Sequence, residues 1–193
     1  MAQNAMRIMD LPNQAKIAHP GAVQVTDKGL SMDRNFEVRD IEKLSEIGAC
    51  HAIMKELRPH LKDVDSFVQQ VMRQREQGFR LSAAWRGDQI VGVIGYRSQE
   101  NLLYGRFVFV DDLVVREEFR SSGAGALLLS AARAYARATD CKNFVVATGL
   151  HMALAQRFYF RQGLLAHGLC FSETLLEPDS RRRSYELAYL AQV

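Results

Sequence analysis

At 193 residues, with 48% apolar and 24% charged side chains, the chain has material for one hydrophobic core plus an appendage and too little for two full domains. A net charge of +3 suits an anionic ligand but falls short of the concentrated basic stripe of a nucleic-acid binder, so no nucleic-acid partner is expected. Cys50, Cys141 and Cys170 lack disulfide or zinc spacings, and no stretch approaches the ~18 apolar residues of a membrane span; a cytoplasmic protein with reduced, mostly buried thiols and no membrane partner is expected.

Residues 1–33 mix polar side chains with Pro12, Pro20, Gly21 and Gly29 and hold no helical or strand period, so they read as a flexible extension before a single domain over 34–193. Phe36 and Val38 alternate with charged residues as in a short strand. A helix follows from near Asp40, with Ile41, Leu44, Ile47, Met54 and Leu57 at helical spacing and Pro59 as its stop. A second helix starts at Asp63 or Asp65, buries Phe67, Val68, Val71 and Met72, and ends at Gly78.

Residues 79–86 alternate as a strand, Gly87 and Asp88 turn the chain, and 89–97 return it as a hairpin. After a loop over 98–101, residues 104–115 are rich in β-branched and aromatic side chains and read as a central strand buried on both faces. A Gly-containing turn opens a helix over 123–139. A strand at 143–147, a helix at 152–162 stopped by Gly163, and late strands at 167–172 and 185–190 complete the pattern. This order predicts an α/β (α+β) domain rather than a doubly wound one.

The turn Arg120-Ser121-Ser122-Gly123-Ala124-Gly125 joins a strand to a helix N-terminus, where unpaired N–H groups and the positive end of the helix dipole favour an anion. Gly123 and Gly125 let the backbone approach a phosphate, and Arg120 adds a positive charge. The turn has neither the Gly-Lys-Ser/Thr ending of a P-loop nor a three-glycine dinucleotide fingerprint. A purely structural turn satisfies the same pattern.

With Leu113-Val114-Val115 before it and Ala126-Leu127-Leu128 after it, this turn resembles the cofactor-binding motif of the GNAT superfamily of N-acetyltransferases. Residues 155–164, from Ala155 through Arg157-Phe158-Tyr159 to Gly163-Leu164, resemble that family's second segment. Leu57-Arg58-Pro59-His60-Leu61, Gly95-Tyr96-Arg97 and Val110-Asp111-Asp112-Leu113-Val114 are similar to a branch of small bacterial acetyltransferases.

The resemblance implies a mixed, mostly antiparallel central sheet of six to seven strands flanked by about four helices. It implies acetyl-CoA as cosubstrate: the main chain of Leu113, Val114 and Val115 would meet pantetheine, and Arg120, Ser121, Ser122, Gly123, Ala124, Gly125 and Ala126 would wrap the pyrophosphate. Tyr159 matches the family's general acid; the other reading is a core tyrosine packed beside Phe158. Asp111 and Asp112 are the candidate bases. Under strict alternation only one faces the acceptor, and Asp111, sharing parity with Leu113 and Val115, is preferred; a bulge would reverse that choice, and both side chains could equally be solvated or bound to nearby loops.

Met152 stands where many members carry an Asn, with His151 beside it as a substitute or a cap, and Gln156 stands where the branch has a histidine. No metal is implied by the spacing of the histidines. Arg181, Arg182 and Arg183 read as a solvated turn. The expected function is acetyl transfer to a primary amine of a small molecule by direct attack in a ternary complex, with a homodimer allowed by the family. A CoA-binding regulatory domain without turnover and an acetyltransferase for protein amines are the alternatives.

Overall fold

The computed structural model describes residues 36–173 and 175. The extension over 1–33, the strand expected at 185–190 and the arginine turn at 181–183 lie outside the described residues. Within them the elements run β1 (Glu37–Asp40), α1 (Leu44–Leu57), α2 (Val64–Arg75), β2 (Phe79–Arg86), β3 (Gln89–Asn101), β4 (Gly105–Val115), a 3-10 turn (Glu117–Phe119), α3 (Ala124–Ala138), β5 (Asn143–Val146) and α4 (Ala153–Arg161). The five strands lie side by side in chain order; every pairing is antiparallel except β4 with β5, which is parallel.

One core lies between α1, α2 and one sheet face, around Ile47, Cys50, Ile53, Phe67, Val71, Leu81 and Val93. The second lies on the opposite face, where Leu128, Leu129 and Ala132 of α3 meet Val91, Ile94, Val108 and Val110. Helices on both faces explain why the middle strands are apolar at consecutive positions such as Ala83-Ala84 and Val93-Ile94, all fully buried.

Local signals place several ends. The Asp63 carboxylate accepts from the Ser66 N–H at 2.8 Å and caps α2. α4 closes with a Schellman motif: the Leu164 N–H donates to the Tyr159 carbonyl at 3.1 Å and the Gly163 N–H to Phe160 at 3.0 Å, with Gly163 at φ +76°. Helix α1 starts four residues later than its apolar spacing suggests, because Ile41 still belongs to the sheet: its N–H donates to the Leu81 carbonyl at 2.8 Å.

Other expectations fail for tertiary reasons. β3 runs on through residues 98–101, pairing as far as Asn101 with Gly105; the Asn101 side chain then accepts from the N–H groups of Leu103 and Tyr104 and closes the hairpin. Residues 167–172 form no strand and have no ladder partner among the described residues, and alternation without a partner does not make a strand. Met72 is 41% exposed rather than buried. Of the cysteines only Cys50 is buried, and burial pushes its thiol up to about 12; Cys141 is half-buried and Cys170 exposed.

Candidate active site

The β4–β5 pairing covers only four residues, Phe107–Val110 against Asn143–Val146. Beyond Val110 the two strands diverge while β4 stays paired with β3 as far as Val115. The Arg116 N–H donates to the Val91 carbonyl at 2.9 Å, so Val114 turns its backbone groups toward β3. Leu113 and Val115 turn theirs into the fork left by β5.

The strand then leads through the 3-10 turn into Arg120–Gly125. Gly123 sits at φ +99° and Ser121 at φ +61°, a paired use of the left-handed region that aims successive N–H groups to one side. The Ser122 hydroxyl donates to the Phe119 carbonyl at 2.5 Å and fixes the turn. The N–H groups of Gly123, Gly125 and Ala126 donate to no backbone carbonyl among the described residues. This is the convergent set of donors that a pyrophosphate needs. Arg120 is exposed, 4.0 Å from the Glu117 carboxylate.

At the other end of the fork, β4 carries a bulge. Gly95 of β3 stands opposite Asp112 and Tyr96 opposite Val110, leaving Asp111 as the extra residue. Strict alternation is thereby broken. Leu113 and Val115 pack toward α3, Val114 joins the α1–α2 core, and both Asp111 and Asp112 line one cavity of about 610 Å³ on the α1–α2 side. The strict alternation that would set the two carboxylates on opposite faces does not hold, and the bulge puts both on one side. The parity argument for Asp111 falls with it, since Asp111 points away from the face that Leu113 and Val115 share.

Each carboxylate is held by an arginine. Arg58, just past α1, donates through Nε to Asp112 Oδ1 at 2.8 Å, forms an ion pair with the same oxygen through Nη2 at 2.8 Å, and donates through Nη2 to the Asp111 carbonyl at 3.2 Å. Arg97 of β3 donates through Nε to Asp111 Oδ2 at 2.9 Å and lies over the Phe79 ring. Burial raises the Asp111 carboxyl above the usual carboxylate range, with the Arg97 hydrogen bond and charge opposing. His60, also in the cavity wall, is shifted down by burial and then by the Arg58 charge, and Asp112 counters part of this. The three branch-like segments, 57–61, 95–97 and 110–114, thus meet in one place. Arg58 and Arg97 stand within these segments, but nothing local in the sequence shows that they pair with carboxylates 54 and 14 residues away.

Tyr159 stands on the half-buried face of α4. Its neighbour Phe158 packs into the α3 core and lies 3.5 Å from where a Gly125 side chain would begin, so the helix is docked against the Arg120–Gly125 turn. Arg133 of α3 adds a 2.7 Å hydrogen bond to the Gln162 carbonyl. The Tyr159 ring packs edge-on against Phe158 at 5.4 Å, as the core reading expects, yet its hydroxyl has no hydrogen-bond partner among the described residues. Burial raises its pKa first and the Asp112 charge second, keeping it protonated at neutral pH.

Met152 starts α4 without a side-chain cap. Gln156 instead donates to the carbonyls of Gly149 and Leu150, at 3.1 and 2.8 Å, and His151 folds so closely over Gly149 that a side chain there would meet its ring at 2.6 Å. Gln156 thus secures the loop that forms the cavity's far rim.

The sequence pattern of the Acetyltransferase (GNAT) family matches residues 47–164. The chain belongs to the GNAT acetyltransferase family. This acetyltransferase is 26% identical over 125 residues to the uncharacterized N-acetyltransferase YhdJ of Bacillus subtilis, covering 64% of this chain and 87% of that one. Its fold is similar to an acetyltransferase of Trypanosoma brucei (TM-score 0.63, 18% identity, 73% of this chain and 100% of that one). It is also similar to AAC(6')-Iy in complex with a bisubstrate analogue of CoA and acetylneamine (TM-score 0.64, 15% identity, 74% of this chain and 99% of that one). The acetyltransferase is an acyl-transferring enzyme with the mixed, mostly antiparallel sheet of its family. Among its described residues no helix is long and apolar enough to cross a membrane, and no cluster of His, Cys, Asp and Glu is arranged to hold a metal.

One consequence for the cavity is testable. A Cβ on Gly95 would come within 2.6 Å of the buried Phe79 ring, which forms part of the cavity wall. Gly95→Ala should cost about 1–3 kcal/mol of stability through overpacking and leave CoA affinity unchanged. Thermal unfolding and a CoA titration check the two halves; weakened CoA binding would assign this part of the cavity to the cofactor.

Proposed function

We propose that this enzyme transfers the acetyl group of acetyl-CoA to a primary amine of a small molecule, by direct attack while both substrates are bound. One observation carries the reading. The fork between β4 and β5 has the donor-rich turn at Arg120–Gly125 along one arm and opens, between Asp111-Asp112 and Ala147–Gly149, into the carboxylate-lined cavity.

In this reading the N–H groups of Gly123, Gly125 and Ala126 hold the pyrophosphate and the main chain of Leu113 and Val115 aligns the pantetheine arm. Bound acetyl-CoA supplies an activated acyl carbon and a thiolate leaving group. Asp111 takes the proton that the amine must lose as its nitrogen bonds to the acyl carbon, and Tyr159 gives a proton to the departing sulfur. Asp112, clamped by Arg58, sets the field felt by Tyr159. Most of the acceleration comes from orientation of the two reactants. No acyl-enzyme is invoked, because Cys50, the cysteine of the α1–α2 core, is buried with its thiol pushed up to about 12. The cavity's size, within the ~300–1,000 Å³ range of small-molecule sites, supports a small acceptor.

Thiol release from acetyl-CoA with a panel of amines tests the reading; tight CoA binding with no turnover on any amine would favour a binding domain instead. The pH profile tests the base. Asp111 acts only when ionised, and its pKa is raised, so kcat/KM should fall as pH drops through a value above the ordinary carboxylate range. Asp111→Asn should abolish that acid limb and lower kcat about 100-fold.

A further inference from the structure

The charge balance of the cavity says what kind of amine it takes. Its described wall carries two carboxylates, Asp111 and Asp112, and each is already engaged by a guanidinium, Arg97 and Arg58. No other Asp or Glu among the described residues lines it. The rest of the wall is mixed: Phe67, Phe79, Phe109 and Leu61 contribute rings and branched carbon, while His60, Thr148 and, one turn apart on α2, Gln70 and Gln74 add polar groups without a carboxylate.

A polycation entering this space would bring ammonium groups that find no unengaged carboxylate on the described wall, and burying an unpaired charge is strongly unfavourable. A monoamine has one such group, and the reaction needs that group neutral. The apolar part of the wall, with the Arg58 and Arg97 charges beside it, disfavours the charged form of the entering amine, so the surface that binds the acceptor body also prepares its nucleophile.

Building on the acetyl-transfer reading above, we propose that the acceptor is a monoamine on an apolar body of about one aromatic ring or a short alkyl chain, and that polyamines and aminocyclitols are excluded by the paired charges of the wall. The amine lies at the Asp111 end, where the fork opens. The body lies against Phe67, Phe79 and Phe109.

Steady-state thiol release by the full chain, with acetyl-CoA and either 2-phenylethylamine, hexylamine, spermidine or neamine, tests this. We expect kcat/KM for 2-phenylethylamine to exceed that for spermidine by at least about tenfold, a discrimination within reach of apolar pockets. Phe109→Ala should raise the KM for 2-phenylethylamine about tenfold and leave the KM for acetyl-CoA unchanged. Turnover of spermidine or neamine at or above the rate of the monoamines overturns the proposal and leaves acetyl transfer standing. Heat on titrating acetyl-CoA without thiol release to any of the four amines removes both. An unaltered monoamine KM in a folded Phe109→Ala variant also overturns it.

Discussion

Tyr159→Phe is expected to lower kcat for acetyl transfer by about 10²–10⁴-fold while the Kd for CoA stays unchanged. The substitution removes one oxygen from a half-buried side chain whose hydroxyl has no hydrogen bond among the described residues, so little packing or polar satisfaction is lost with it. What is lost is a proton donor. Burial, and secondarily the Asp112 charge, keeps that hydroxyl protonated at neutral pH, the state a thiolate leaving group requires. Steady-state thiol release beside a CoA titration separates the two quantities. A kcat within tenfold of the parent enzyme would reduce Tyr159 to a partner of Phe158 in the packing of α4.

The second large effect is on cofactor affinity. Gly123→Val should raise the Kd for CoA about 10- to 100-fold, equivalent to about 1.4–2.8 kcal/mol. The cause is conformational rather than steric. A Cβ at this position would meet no atom within 4 Å, but φ is +99°, a region in which a β-branched residue is strained by about 1–3 kcal/mol. Relaxing that strain rotates the peptide and turns the N–H groups of Gly123 and its successors off their common target. Gly125→Ala is the informative partner. Its added methyl would meet Phe158 and Val115 at 3.5–3.6 Å, ordinary contact distances, and its φ is not positive, so the fold should be retained. Isothermal titration of CoA with both variants gives the comparison. Undiminished affinity in a folded Gly123→Val protein would remove the pyrophosphate from this turn, and the acetyl-transfer proposal would lose its footing.

Both predictions concern residues that the sequence singles out by local chemistry. Asp63 as a helix cap, Gly163 as a helix stop and Gly123 where the chain enters α3 are legible because the backbone conformation each requires is determined within four or five residues. The periodicities of β2, β4, α2 and α3 are equally local, which is why fold class and family were within reach. The folded length of β3 was not. Residues 98–101 are polar and look like a loop, and they become strand only because residues 105–108 are hydrogen-bonded beside them.

The sequence by itself determined the order of elements from β1 to α4, the glycine turn that opens α3 and the two motifs of the acetyltransferase family, since each rests on neighbours along the chain. The tertiary structure alone decided that Asp111 and Asp112 share a cavity, because a bulge is a mismatch between two strands and belongs to neither one. It also decided that Arg58 and Arg97 neutralise them. Ion pairs across 54 and 14 residues exist only once the sheet and α1 have packed, and the charge balance of the cavity follows from that packing.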